Sequence, residues 1–133
     1  MIAGMAPHLD PEIYVFCSVT NPADAAPLHA QALATFVEAE GQTLILPLSA
    51  AAEAGFTTDL PMRRVTLTVH SALDGVGLTA AVATALAGAG IPCNMVAAYH
   101  HDHAFVPASR ADEALSILQS RARAAHPPKG PAK

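Results

Sequence analysis

Residues 65–107 read VTLTVHSALDGVGLTAAVATALAGAGIPCNMVAAYHHDHAFVP, and the reading of this stretch decides the fold. It opens with an alternating run in which Val65, Leu67 and Val69 oppose Thr66, Thr68 and His70, the signature of a half-buried strand. A glycine-punctuated loop, HSALDGVGL, follows. Next comes a helical segment with Leu78, Val82, Leu86 and Ala89 on one stripe. Two further apolar runs end the stretch, separated by the polar AYHHDH. Strands are expected at 63–70, 91–99 and 103–107 and helices at 77–88 and 111–125.

Working outward, the first half of the chain repeats this pattern. EIYVFCSV alternates, with Ile13, Val15, Cys17 and Val19 on one face and Tyr14, Phe16 and Ser18 on the other. Val15, Cys17 and Val19 stand fifty positions before Val65, Leu67 and Val69, and each strand follows a proline, Pro11 or Pro61. EGQTLILPLSAAAEA (40–54) stands sixty positions before HHDHAFVPASRADEA (100–114), aligning Pro47 with Pro107, Ser49 with Ser109 and Glu53 with Glu113. The chain therefore reads as an internal duplication. The ten extra positions of the second copy fall in its first helix, which shrinks in the first copy to ADAAPLHAQA. Ser109 followed by Asp112 resembles a capping box that opens the last helix. The division expected is a first unit over 1–60, a second over 61–126, and a proline-rich tail over 127–133 without fixed structure.

Composition narrows the function classes. The chain has 133 residues, of which 52% are hydrophobic and only 14% charged, with a formal net charge of −4. No basic stripe precedes the tail, which argues against nucleic acid. No run reaches the roughly 18 to 20 apolar residues of a membrane span. The opening residues show no basic segment leading into an apolar core, so no signal peptide is expected. Two distant cysteines read as reduced thiols, and a cytoplasmic location is the expectation. No P-loop, Gly-x-Ser-x-Gly or dinucleotide fingerprint is present, so neither a nucleotide nor another cofactor is expected, and the chain reads as a non-enzyme.

The strand–helix–strand–strand–helix order, with HSALDGVGL after its first strand and YHHDHAFVP at its second hairpin, resembles the ACT domain. The match is strongest over roughly residues 63 to 118. It is similar to small bacterial proteins of unknown role built from two ACT-like units and, more distantly, to amino-acid-sensing ACT modules. The resemblance implies a ferredoxin-like α+β fold, as tandem βαββα units with antiparallel sheets and helices on one face. It also implies pairing of units through sheet edges, hence a homodimer, and a free amino acid as ligand. Residue by residue it carries the ligand site onto Ser71, Leu73, Asp74, Val76, Gly77 and Leu78 of the loop and Asn94 and Met95 of the next strand, with His70, His101 and His103 as further contributors. The commoner ACT loop carries Asp-x-Pro-Gly; Gly77 fits its glycine, but no proline precedes it here. The first copy has no glycine loop, so a complete site is expected in the second half or between halves.

These residue types suit the chemistry of an amino acid. Gly75 and Gly77 permit close backbone approach, and a helix starting near Gly77 favours a carboxylate at its N-terminus. Asp74 can pair with an ammonium, and Asn94 can donate and accept together. The plainer reading stands beside this: Gly77 turns the chain and Asp74 caps a helix. The His100–His103 cluster has three readings, a polar turn, a metal site or a catalytic pair. The turn is preferred, because a zinc site needs three or four converging ligands and the first copy carries Glu40, Gly41, Gln42 and Thr43 there. The alternatives to a regulatory module are a metal-binding protein using this cluster and a structural partner with a vestigial ligand site.

Overall fold

The structure is a computed structural model and describes residues 5–68 and 77–125. Its described residues divide into two compact units. Pro11–Met62 form the first, and the residues up to Asp10 join those from Arg63 onward in the second.

In the first unit, the part of β1 (Ala6–Val19) from Pro11 onward is followed by α1 (Pro22–Ala25), a 3₁₀ turn (Ala26–Gln31), β2 (Ala34–Glu38), β3 (Gly41–Pro47) and α2 (Leu48–Glu53). β3 lies between the other two strands, antiparallel to both, with Cys17 opposite Leu44 and Phe36 opposite Thr43. Val15, Cys17 and Val19 point into a buried cluster with Leu44, Leu46, Ala50 and Ala51, as their alternation requires. The first helix is indeed curtailed. Asn21 caps it, its Oδ1 accepting the Ala23 N–H at 3.0 Å. After one turn it tightens into the 3₁₀ segment at Pro27.

The second unit holds β4 (Met62–Thr68, from Arg63), α3 (Leu78–Gly88), β5 (Asn94–Ala97), β6 (Asp102–Pro107) and α4 (Ala111–Ala125). Its hydrogen-bonded order is β4, β6, β5, the same first–third–second arrangement as in the first unit. The duplication therefore extends to topology. Val65 and Leu67 of β4, Leu78, Val82 and Leu86 of α3, Ala104 and Val106 of β6, and Ala114 and Leu118 of α4 make its buried core. The expected helical stripe is thus the face that packs.

α4 spans the expected 111–125, but the serines do not open the helices, and the reason is common to both copies. Pro107 adopts φ −54° and ψ 134°, so helical geometry begins directly after it, as a 3₁₀ turn over Ala108–Arg110. Ser109 therefore lies inside that turn and does not cap α4. Pro47 acts in the same way before α2, with φ −55° and ψ 144°. The strand expected over 91–99 is only Asn94–Ala97. The residues before it close α3 instead: Gly90 takes φ 72°, and the Ile91 N–H returns to the Leu86 carbonyl at 3.0 Å. The proline-rich tail, 127–133, lies outside the described residues.

The N-terminal strand adds a feature the alternation did not reveal. Ala6–Asp10 continue β1 alongside β4 in the second unit. Arg64 Nη2 meets Asp10 Oδ2 at 2.7 Å, Arg63 Nε donates to the Asp10 carbonyl at 3.2 Å, and Thr68 Oγ1 donates to the Ala6 carbonyl at 2.9 Å. A second clamp joins α3 to α4. Arg110 donates to the carbonyls of Ala89 and Gly90 at 3.0 and 2.9 Å, satisfying the end of α3, and also holds Glu113 in a two-point contact.

Candidate functional site

Of the ligand residues expected in the loop and on the next strand, Gly77, Leu78, Asn94 and Met95 are described. Ser71, Leu73, Asp74 and Val76, together with His70, are outside the described residues. Gly77 is described and stands at the N-cap of α3 with φ 99°, a left-handed conformation that side-chain-bearing residues adopt only under strain. Its carbonyl accepts the Ala81 N–H at 2.9 Å and so starts the helix. Gly77 therefore opens an eleven-residue helix.

The structure separates the remaining residues. Leu78 is buried in the core of the second unit, where it packs with Val82 and Leu86. Asn94 is exposed at the start of β5, while Met95 is half-buried and packs against the core. Neighbours on a strand face opposite ways, so Asn94 and Met95 do not share a surface. Asn94 pairs with Phe105 and Met95 with Ala104 across the β5–β6 ladder. Cys93 is half-buried against the same core, and Cys17 is buried in the other unit. Burial raises both thiols above their ordinary range, so neither is poised as a thiolate nucleophile.

The histidine cluster is split by the hairpin. The Ala98 N–H donates to the His101 carbonyl at 3.1 Å and closes a turn with Tyr99 and His100 at its exposed tip. Their rings meet edge-on, with centroids 5.0 Å apart. Asp102 and His103 belong to β6, so only half of HHDH forms the turn. His103 lies 3.1 Å, from Nδ1, to Thr66 Oγ1 on β4, while His101 Nδ1 is shielded and has no hydrogen-bond partner among the described residues. No group of three His, Cys, Asp or Glu converges for a metal among the described residues.

His103 is held below the ordinary histidine value, first by burial and then by the charges of Arg64 and His101, with Asp102 opposing them. The folded state thus prefers the neutral ring. Its contribution to stability is complete above the unfolded pKa of about 6.5 and is lost as pH falls through the depressed folded value. His103→Gln is expected to flatten the decline of the denaturation midpoint on acidification below about pH 6.5. An unchanged decline in titrated urea melts would remove His103 from that account.

The first unit holds the two surface grooves that flank the end of β1. One runs between Val19–Thr20 and the β2–β3 hairpin, past Glu38, Glu40 and Gln42. The other lies between Ser18–Asn21, the 3₁₀ turn and the chain leaving α2. Neither was anticipated, because the first copy has no glycine loop to draw attention to it.

Residues 1–63 match one ACT domain family and residues 61–120 another. The chain belongs to the ACT domain family. A crystal structure of a Vibrio cholerae protein of unknown function, a possible transport protein, shares 45% identity with this ACT protein. That similarity covers 88% of each chain, with a TM-score of 0.80. The ligand-free regulatory subunit of aspartate kinase from Thermus thermophilus shares 13% identity and a TM-score of 0.60, over 86% of this chain and 94% of its own. Aspartokinase III of E. coli, solved with aspartate and ADP, shares 14% identity and a TM-score of 0.55, over 87% of this chain and 32% of its own. At such identities the two kinases show a shared fold. No curated protein matches the sequence at a significant level. ACT domains are typically ligand-binding regulatory modules rather than catalytic ones, and the tandem ferredoxin-like fold expected from the sequence is the one observed. Among the described residues, no helix is long and apolar enough to cross a membrane.

Proposed function

We propose that this ACT protein is a non-catalytic regulatory module of the cytoplasm that binds a free amino acid in its second unit. The observation that carries the reading is the start of α3 at Gly77. Left-handed Gly77 opens a helix whose unpaired N–H groups and positive dipole end favour a carboxylate, which supports a carboxylate-bearing ligand near residues 71–78. Asp74 then takes the ammonium and Asn94 the remaining polar edge, while Ser71, Leu73 and Val76 shape the loop. Leu78 and Met95 act from the core side, holding the helix and strand that carry the site. A thermal-shift panel of amino acids tests this with the full chain and its Asp74→Ala and Asn94→Ala variants. The expected result is a saturable rise with one or two amino acids that falls about tenfold in apparent affinity in either variant. A rise of equal affinity in both variants would move the site elsewhere.

The same reading has the protein act as a homodimer through a sheet edge, and β2 is the edge that suits it. It carries no proline or lysine, and Phe36 and Val37 are 70% and 74% exposed on it. Edge strands are commonly blunted by just the features it lacks. β5 is shorter and follows Pro92, which has no N–H to offer. Antiparallel self-pairing of β2 about Phe36 sets Thr35 against Val37 of a second copy and Ala34 against Glu38, with no like charges opposed. Phe36→Lys is expected to shift sedimentation from dimer to monomer without lowering the melting temperature of the monomer. A variant that sediments as a dimer would exclude this edge.

A further inference from the structure

We propose that the open sheet face of the first unit docks a basic amphipathic helix of a partner protein. Phe16 and Phe36 supply its apolar contacts and Glu38 its charged one. The surface uses no residue of the amino-acid site and goes beyond that reading.

The strand register defines the face. Phe16 on β1 and Ala34 on β2 both stand opposite Ile45 of β3, and Ser18 and Phe36 both stand opposite Thr43. Residues opposite one another point to the same side, so Phe16, Ala34, Phe36 and Ile45 share one face. The helices lie on the other side, where Ala25 of α1 and Ala50 and Ala51 of α2 pack with Cys17 and Leu44. The solvent face of an antiparallel sheet ordinarily carries polar residues. Here Phe16 is 40% exposed and Phe36 70%. Aromatic groups left open in this way mark an interaction surface. Pairing of β2 edges engages the backbone of that strand and leaves the face open, so the two surfaces do not compete.

The charge on the face selects the partner. The Thr43 hydroxyl donates to Glu38 Oε1, which fixes an exposed carboxylate two residues along β2 from Phe36, on the same side. Glu38 makes no ion pair among the described residues. Residues 11–62 contain no lysine or arginine but hold Glu12, Asp24, Glu38, Glu40, Glu53 and Asp59. The same face of a second copy would bring acid to acid, and an anionic bilayer would be repelled. A cation set beside apolar groups is drawn in. An amphipathic helix presents both: apolar side chains three and four residues apart lie over Phe16 and Phe36, and a flanking lysine or arginine reaches Glu38. A helical cover is also what buries the opposite face of these strands.

The test is fluorescence anisotropy of a labelled amphipathic leucine–lysine peptide added to the full-length protein, with a leucine–glutamate peptide of the same pattern as counterpart. Saturable binding of the lysine peptide alone is expected, weakened about tenfold by Phe16→Ser and by Glu38→Gln. Glu38→Gln keeps an acceptor for the Thr43 hydroxyl, so it reads the charge without disturbing the strand. Asn94→Ala, and Asp112→Asn at an exposed acid of α4, are expected to leave binding unchanged. Absence of saturable binding, or an equal loss in Asp112→Asn and Glu38→Gln, would overturn the proposal. So would a smaller sedimenting species in Phe16→Ser, which would give the face to a second copy. Binding to phosphatidylcholine vesicles that Phe16→Ser abolishes would give it to a lipid surface and overturn the proposal as well.

Discussion

Leu118→Ala is expected to lower the unfolding free energy by roughly 3 kcal/mol and the melting temperature by roughly 10 °C. Leu118 is fully buried on α4, in the cluster that also holds Val65, Leu67, Val82 and Leu86. Its removal leaves a cavity whose walls come from both helices and the sheet, so no single element can move to fill it. Ser116→Ala, on the exposed part of the same helix, is the matched control and is expected to change stability by less than about 0.5 kcal/mol. Urea melts of both variants check the difference. A loss below about 1 kcal/mol for Leu118→Ala would mean that α4 does not close the core of this unit.

The second large effect belongs to Gly41. It has φ 150°, and a Cβ there would stand 2.6 Å from the Val19 carbonyl oxygen and 3.1 Å from the Thr20 Cα. Both obstacles are backbone, so relief requires β1 and the β2–β3 hairpin to part where they meet. Gly41→Ala is expected to cost about 2–3 kcal/mol. Gly55→Ala is the comparison: its φ of 87° is equally foreign to alanine, but nothing lies within 4 Å. Only the conformational cost of about 1 kcal/mol is expected there. Equal losses would mean that contact with β1 is not what requires glycine at 41.

What the sequence revealed and what it concealed have separate physical origins. Period-two alternation located the buried faces of β1 and β4, since a half-buried sheet writes its burial directly into residue order. The stripe Leu78–Val82–Leu86 located the packed face of α3 for the same reason, with the period of a helix. The duplicated proline–serine segments marked equivalent hairpins, but proline backbone geometry, not serine capping, set where the helices begin. The N-terminal strand was hidden because Pro7 and Pro11 interrupt any strand pattern. The polar stretch HHDH was ambiguous because a turn and a strand end share its composition, and only the register of β5 on β6 divides it between them. Arg110 was unreadable in advance: its partners are backbone carbonyls about twenty residues away, which leave no trace in side-chain pattern.

The candidate site was legible only in part. The turn at Gly77 could be read because a left-handed cap favours glycine, a requirement visible in one letter. Asn94 and Met95 were carried over together from the family resemblance, yet a strand sends adjacent side chains to opposite faces.

Isothermal titration calorimetry of the full-length protein against the individual amino acids tests the central claim most directly. A regulatory ACT module is expected to give saturable heat with one or two amino acids, and Asn94→Ala is expected to weaken it about tenfold. No saturable binding by any amino acid, from protein whose melting transition is intact, would contradict it.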